Sequence, residues 1–221
     1  MDFVDTNHLR NHFNWHAAEF DRLYDSGRQT RLGRWLNRRY RSDIAGRYLA
    51  ALDHVRTSGA QSVLDVGCGP GHYLAALAKM EVPRLVGVDV SEEMIGLARN
   101  NPDVGGHRSV ELVNADYSKW NSDEKFDVII ALGFFDYVSD PAALLKRMRC
   151  QARHSVFASF PSRHWFRMPY RWVRRRLQGT RVYFYTEEEI RRLARDSGYE
   201  NVVLEKLPGP GMNFVATFLL S

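Results

Sequence analysis

The chain is short of several things, and each shortage narrows what it can be. Only two of its 221 residues are cysteines, Cys68 and Cys150, too few for a disulfide framework, so its core must come from apolar burial. No apolar run approaches the roughly 20 residues that a membrane span requires. No signal-type apolar stretch follows the charged opening MDFVDTNHLRNHF, so a reducing cytoplasmic compartment is expected, with peripheral contact at the inner membrane face left open. Internal repeats and low-complexity tracts are also absent. His8, His12 and His16 form an i, i+4, i+8 row, but successive members stand ~6 Å apart along a helix axis. With no cysteine or carboxylate partner beside them, no metal site is assigned.

What is present is ordinary globular material, 44% hydrophobic and 26% charged, enough for one domain of generous size. The net charge of +5 is unevenly spread. Lys plus Arg against Asp plus Glu counts 10 and 7 over residues 1–59, 10 and 13 over 60–158, and 11 and 6 over 159–221. Basic flanks around an acidic middle suggest that the flanks meet an anionic ligand or surface, although solubility alone would also account for them.

Residues 6–25 and 29–57 carry helical patterns separated by Ser26-Gly27. Arg31, Arg34, Arg38 and Arg41 share one face of the second, most simply a solvated one. From Ser62 the rhythm changes. SVLDV, RLVGVDV, SVELVNA, FDVIIAL and HSVFASF read as strands, and helices are expected over Pro70–Lys79, Ser91–Asn100 and Pro141–Gln151. Strands alternating with helices imply a parallel sheet covered on both faces. Later come a short VYFY run and the helix TEEEIRRLARDSG, with Thr186 as N-cap and Glu189 in capping-box position. NVVLEKL and MNFVATFLL, joined by PGPG, then make an antiparallel pair.

Parallel sheets bind ligands at the carboxyl ends of their strands. The first strand ends in LDVGCGPGH. Glycines there permit a tight turn and close approach of a ligand. The GxGxG spacing, with Asp65 before Gly67, Cys68, Gly69 and Gly71, differs from the GxGxxG of dinucleotide sites. A pyrophosphate is repelled by Asp65, whereas the ammonium and sulfonium of S-adenosylmethionine are attracted. Cys68 is most simply a small residue that fits. Asp89, followed by Val90 at the second strand end, can accept both hydroxyls of a ribose. Met94, one turn into the next helix, can pack on adenine or simply fill the core. Asp116 can accept from an exocyclic amine, with Tyr117 offering a backbone N–H, though a turn-forming aspartate is the rival reading. The fourth strand exits through Ala131, Leu132 and Gly133 beside the reactive end of the ligand.

The succession VLDVGCGPG, VGVDVSEEM, NADY and FDVIIALGFFDYVSDP resembles the motifs of class I S-adenosylmethionine-dependent methyltransferases over roughly residues 60–160. The resemblance implies a Rossmann-like α/β fold with seven strands, mostly parallel, and an antiparallel last strand. It places Asp65, Gly67 and Gly69 along the methionine moiety, Asp89 on the ribose, Met94 and Asp116 on the adenine, and Leu132 at the methyl end. S-adenosyl-L-methionine is then the cofactor and S-adenosyl-L-homocysteine the product. The expected organisation is a helical leader over residues 1–59 and a methyltransferase domain over 60–221, with a lid at 161–181. FDRLY in the leader, FASFPSRHWFRMPYR and the ending GMNFVATFLL look like small-molecule O-methyltransferases of magnesium-protoporphyrin and ubiquinone biosynthesis. Many of those relatives carry Glu-His where this chain has Asp136-Tyr137, so a histidine base does not carry over.

Tyr137, His164 and Tyr24 are the candidate catalytic groups, set after the fourth strand, in the lid and at the leader's break. A carboxylate acceptor needs no base, whereas a hydroxyl usually does. In RHWFRMPYRWVRRRL, residues 163–177, Arg163, Arg167, Arg171 and Arg174 recur at helical steps, with Phe166, Tyr170, Val173 and Leu177 on another face. Arg167, Arg171 and Trp165 are the expected acceptor contacts. A membrane surface also suits such a segment. The expected acceptor is small or lipid-linked and acidic. A nucleic-acid acceptor, raised by the arginine faces and a pI of ≈ 9.3, is disfavoured because no Asn- or Asp-Pro-Pro-aromatic tetrapeptide follows the fourth strand. A non-catalytic binding module is the third reading, and the oligomeric state is left open.

Overall fold

The computed structural model describes residues 31–162, 183–207 and 214–220, with side chains of the first helix described from residue 45. Helix α1 (Arg31–Ser58) leads into a sheet built in the order expected from the alternating pattern: β1 (Ser62–Val66), α2 (His72–Lys79), β2 (Arg84–Asp89), α3 (Glu92–Asn100), β3 (Val110–Asn114), β4 (Phe126–Ala131), α4 (Pro141–Gln151) and β5 (Ala152–Phe160). Helix α5 (Glu187–Asp196), β6 (Asn201–Lys206) and β7 (Phe214–Leu219) complete it. The seven strands lie in the order β3-β2-β1-β4-β5-β7-β6. The first five pair in parallel, and β7 runs antiparallel to both β5 and β6.

The final hairpin is the expected antiparallel pair at the end of the sheet. The last strand is inserted between β5 and β6, leaving β6 at the margin. The burial pattern accounts for this: β7 is buried at four of its first five residues, all but Thr217, whereas β6 alternates between exposed and half-buried positions over its first four residues and ends in the exposed Glu205 and Lys206. A polar, alternating strand suits an edge, and an apolar one suits the interior.

The helices start where their sequences place caps. Ser91 Oγ accepts from the N–H of Met94 at α3, and Asp140 Oδ1 accepts from the N–H of Ala143 at α4. At α5, Thr186 and Glu189 exchange both bonds of a capping box. Helix α2 starts two residues later than the pattern suggests, because Pro70 and Gly71 belong to the glycine loop. Tyr185, the last residue of the VYFY run, forms an isolated bridge with Ser162.

Two apolar layers hold the sheet. One packs Leu144, Leu145 and Met148 of α4 and Ile190 of α5 against Phe126, Phe160 and Phe218. The other packs Ala51 and Val55 of α1, Leu74 and Leu77 of α2, and Ile95 of α3 against Val63, Leu85 and Val128. Burying a side chain such as Val55 contributes ~1.5–3 kcal/mol, and Ala51 is buried beside it, so the C-terminal part of α1 is an integral layer of the fold. Among the described residues no helix is long and apolar enough to cross a membrane.

Candidate functional site

Strand order reverses between β1 and β4, because β2 and β3 extend one way and β5, β7 and β6 the other. That switch point opens a crevice at the carboxyl ends of β1 and β4. Asp65 lies on β1 between Gly87 of β2 and Ile130 of β4, only 1% exposed. Its Oδ2 is buried without a hydrogen-bond partner. Burial, reinforced by the nearby Asp89 carboxylate, pushes its carboxyl up to about 8. A buried carboxylate left unsatisfied is unusual, and a cationic ligand group would relieve it.

Asp89 ends β2. Its Oδ2 accepts from the N–H of Gly69 at 2.8 Å and its Oδ1 from the N–H of Ser91 at 2.9 Å. Burial raises its pKa while the N–H groups of Ser91, Gly69 and Val90 oppose that rise. Each carboxylate oxygen retains acceptor capacity, so these bonds aim the group without exhausting it. The turn itself is held by Val88, whose carbonyl accepts from the N–H groups of Gly67 and Cys68 at 2.8 and 3.2 Å.

The glycines have separate reasons. Gly67 has φ 74°, and a Cβ there would lie 3.0 Å from Cδ2 of Phe134. Gly87, which the sequence reading passed over, has no room for a side chain: a Cβ would fall 2.5 Å from Leu74 Cδ1 and 2.9 Å from Cys68 Sγ. Cys68 is 5% exposed, and burial with the Asp89 and Asp65 charges pushes its thiol well up. It stays protonated and unreactive, a packing residue of the loop.

At the third strand end, Asp116 Oδ1 accepts from the N–H and hydroxyl of Ser118 at 2.9 and 2.7 Å. These are the bonds of the turn-forming reading, and Oδ2 lies 3.8 Å from Lys119 Nζ. The loop is fastened to β2, since Ala115 N–H and Asn114 Nδ2 both donate to the Asp89 carbonyl at 3.0 Å. The Tyr117 side chain is buried, with its hydroxyl 2.7 Å from Gln151 Oε1. Met94 is 2% exposed.

Beyond β4, Ala131 is buried and Leu132 and Gly133 are half-buried. The Gly133 N–H donates to Ser159 Oγ at 2.8 Å, and Arg47 Nη1 of α1 donates to the same oxygen at 3.2 Å. This brings an arginine to the carboxyl ends of β4 and β5. Arg47, Ser159 and Phe134 were not singled out from the sequence. Arg47 and Ser159 are 112 positions apart, and only the packing of α1 brings them together. Phe134, edge-on to both Tyr117 and Phe135, was hidden in an aromatic run.

Tyr137 closes a 3-10 turn, Phe135–Tyr137, and lies half-buried against the aromatic core. Tyr183 N–H donates to the Asp136 carbonyl and Tyr185 N–H to the Pro161 carbonyl, both at 2.9 Å. Tyr24, His164, Trp165, Arg167 and Arg171 lie outside the described residues, as do the histidine row and the arginine side chains at 31–41.

A mostly parallel sheet with β7 inserted antiparallel, and an acidic, glycine-lined crevice at its switch point, define a site of the nucleotide-binding α/β kind. A family profile described as a methyltransferase domain matches residues 24–204, and the chain belongs to that family. It is 33% identical over 118 residues to trans-aconitate 2-methyltransferase from Azoarcus, covering 52% of this chain and 45% of that protein. It is 28% identical over 86 residues to a ubiquinone biosynthesis O-methyltransferase from Hydrogenovibrio crunogenus, covering 38% and 35%. The chain thus spans less than half the length of these curated relatives. Among solved structures, magnesium protoporphyrin IX methyltransferase from Synechocystis with bound SAH superposes with a TM-score of 0.71 at 19% identity, over 98% of this chain and 100% of that one. The class I, Rossmann-like expectation is borne out.

Proposed function

We propose that the chain transfers a methyl group from S-adenosylmethionine to a small or lipid-linked acidic acceptor, at oxygen. The observation that carries the donor half is the orphaned, buried Oδ2 of Asp65 beside the aimed Asp89 carboxylate. Such a pair suits a ligand that brings both positive charge and hydroxyl groups. When bound, the cofactor supplies a methyl carbon activated by its sulfonium; a bond forms from the acceptor oxygen to that carbon, the S–C bond breaks, and a neutral thioether leaves.

The chain's own residues bind, orient and exclude water. Asp65 offers charge to the ammonium end, alongside the turn from Gly67 to Gly71, with Cys68 as its packing. Arg47, which donates to Ser159 Oγ at the carboxyl end of β5, would offer its charge to the cofactor's carboxylate. Asp89 and the adjoining Val90 take the ribose. Met94, Asp116 and the Tyr117 N–H take the adenine, and Ala131 and Leu132 flank the methyl end. Alignment alone can supply much of the rate. An ionised acceptor carboxylate needs no base; for a hydroxyl, Tyr137, His164 and Tyr24 are the groups proposed to move its proton.

The acceptor half rests on the arginine and aromatic segment. The described residues on either side of it, Ser162 and Tyr183–Tyr185, are tied at the carboxyl end of β5 and to the turn bearing Tyr137. Arg167 and Arg171 are proposed to take the acceptor's acidic group, and Trp165 its apolar body. The names of the two curated relatives, a trans-aconitate 2-methyltransferase and a ubiquinone biosynthesis O-methyltransferase, support transfer to small molecules. A metabolite screen with methyl-labelled cofactor tests this. Label in an acid-stable ether or base-labile ester supports it, and label only in nucleic acid or only on nitrogen overturns it.

A further inference from the structure

Helix α4 packs in the other apolar layer from α2 and α3, and two of its side chains reach the loop that follows β3. Gln151, 7% exposed, accepts the Tyr117 hydroxyl at 2.7 Å and donates from Nε2 to the Ser122 carbonyl at 3.3 Å. Arg147, one helical turn earlier, donates to the Trp120 carbonyl and, at 3.5 Å, to the Ser118 carbonyl. Its guanidinium also lies over the Tyr117 ring, 5.4 Å from the centroid. Four points of one short loop, at 117, 118, 120 and 122, are thus held by an i, i+4 pair from a single helix.

The same loop is held at its other end by β2, through the two bonds from Asn114 and Ala115 to the Asp89 carbonyl. Between these clamps stands Asp116, whose orientation depends on the Ser118 backbone that Arg147 restrains. Trp120 adds a ring contact to Tyr117 at 6.4 Å. Burial lifts the Tyr117 hydroxyl pKa, with the Arg147 charge opposing, so the phenol remains a donor to Gln151 across the working pH range. A planar guanidinium satisfying two carbonyls while lying on a ring is a geometry that lysine reproduces only in part.

We propose that Arg147 and Gln151 are positioning residues for the adenine end of the donor site, fixing the edge that Asp116 and the Tyr117 N–H present to the base. This rests on the donor-site assignment above. Neither residue touches the crevice, so neither acts on the acceptor or the methyl group. Their loss is expressed in recognition of the base and leaves the chemical step intact.

The test compares S-adenosylhomocysteine with S-inosylhomocysteine, in which oxygen replaces the exocyclic amine, by calorimetry on the full chain. Wild type is expected to prefer the adenine ligand at least tenfold. Arg147→Ala and Gln151→Leu should each lose most of that preference, with Arg147→Lys recovering part of it, while acceptor KM and kcat at saturating cofactor stay within about twofold. Because Arg147→Ala could unfold, Tyr117→Phe, which deletes only the hydroxyl bond to Gln151, should show a smaller loss of preference with an unchanged circular dichroism spectrum. If folded variants keep the wild-type preference, the positioning role is refuted. If the wild type binds neither ligand, or binds both equally, the donor-site assignment itself is at fault.

Discussion

Asp65→Asn replaces a buried carboxyl with an amide of the same shape and removes one titration from the fold. The Asp65 carboxyl is pushed up to about 8 from the ordinary 3.8. Between those pH values the folded chain holds a proton that the unfolded chain has released. Stability therefore falls as pH rises through this window, with a limiting slope of about 1.4 kcal/mol per pH unit. At pH 7 the accumulated cost of keeping this group folded is ~4 kcal/mol, and near pH 8 it levels off at ~5–6 kcal/mol. The amide bears a cost of its own, since its NH₂ is also buried, but that cost does not vary with pH. Urea unfolding of both proteins from pH 4.5 to 8.5 should give a stability difference that shifts steadily toward the variant as pH rises. Saturating S-adenosylmethionine should flatten the shift, because its positive charge stabilises the ionised carboxylate. Near pH 6.5 its binding should accordingly release about one proton from the wild type, and close to none from the variant. A difference that stays flat between pH 5 and 8 refutes the reasoning.

Gly87→Ala should destabilise by ~1–3 kcal/mol through overpacking, as read by thermal melting, because its Cβ collides with Leu74 and Cys68; an unchanged melting temperature contradicts the packing at β2. Arg47→Ala should weaken S-adenosylhomocysteine binding by about tenfold, the ~1–2 kcal/mol of one charge-assisted contact, with a smaller loss for decarboxylated S-adenosylhomocysteine. Equal losses for the two ligands would detach Arg47 from the carboxylate. Arg167→Glu combined with Arg171→Glu should raise the acceptor KM and leave cofactor affinity intact; reduced cofactor affinity with an unchanged acceptor KM would overturn the proposed division of labour.

The parallel core was legible because its signals are local. Strand and helix periods alternate cleanly from Ser62, and the caps at Ser91, Asp140 and Thr186 form as side-chain chemistry dictates. Asp65, Asp89 and the glycine loop stood out because they fall at strand ends, and the structure brings them together at the ends of β1 and β2. The placement of β7 between β5 and β6 was not, since a hairpin's sequence specifies its internal pairing but not which arm joins the sheet. Arg47 was hidden for a related reason: it sits in a helix with many arginines, and only its contact with Ser159 distinguishes it. Gly87 resembles any strand glycine until the Leu74 side chain is seen in the space that its own would fill. Asp116 was read as a ligand contact or a turn-former, and the bonds to Ser118 are those of a turn-former.

The central claim is that the crevice between β1, β2 and β4 is a donor site organised by Asp89. Isothermal titration of S-adenosylhomocysteine into the wild type and Asp89→Ala tests it most directly. The account predicts one site in the wild type and at least a tenfold loss in the variant, about 1.4 kcal/mol or more. No heat of binding in the wild type, or equal affinity in both, would contradict it.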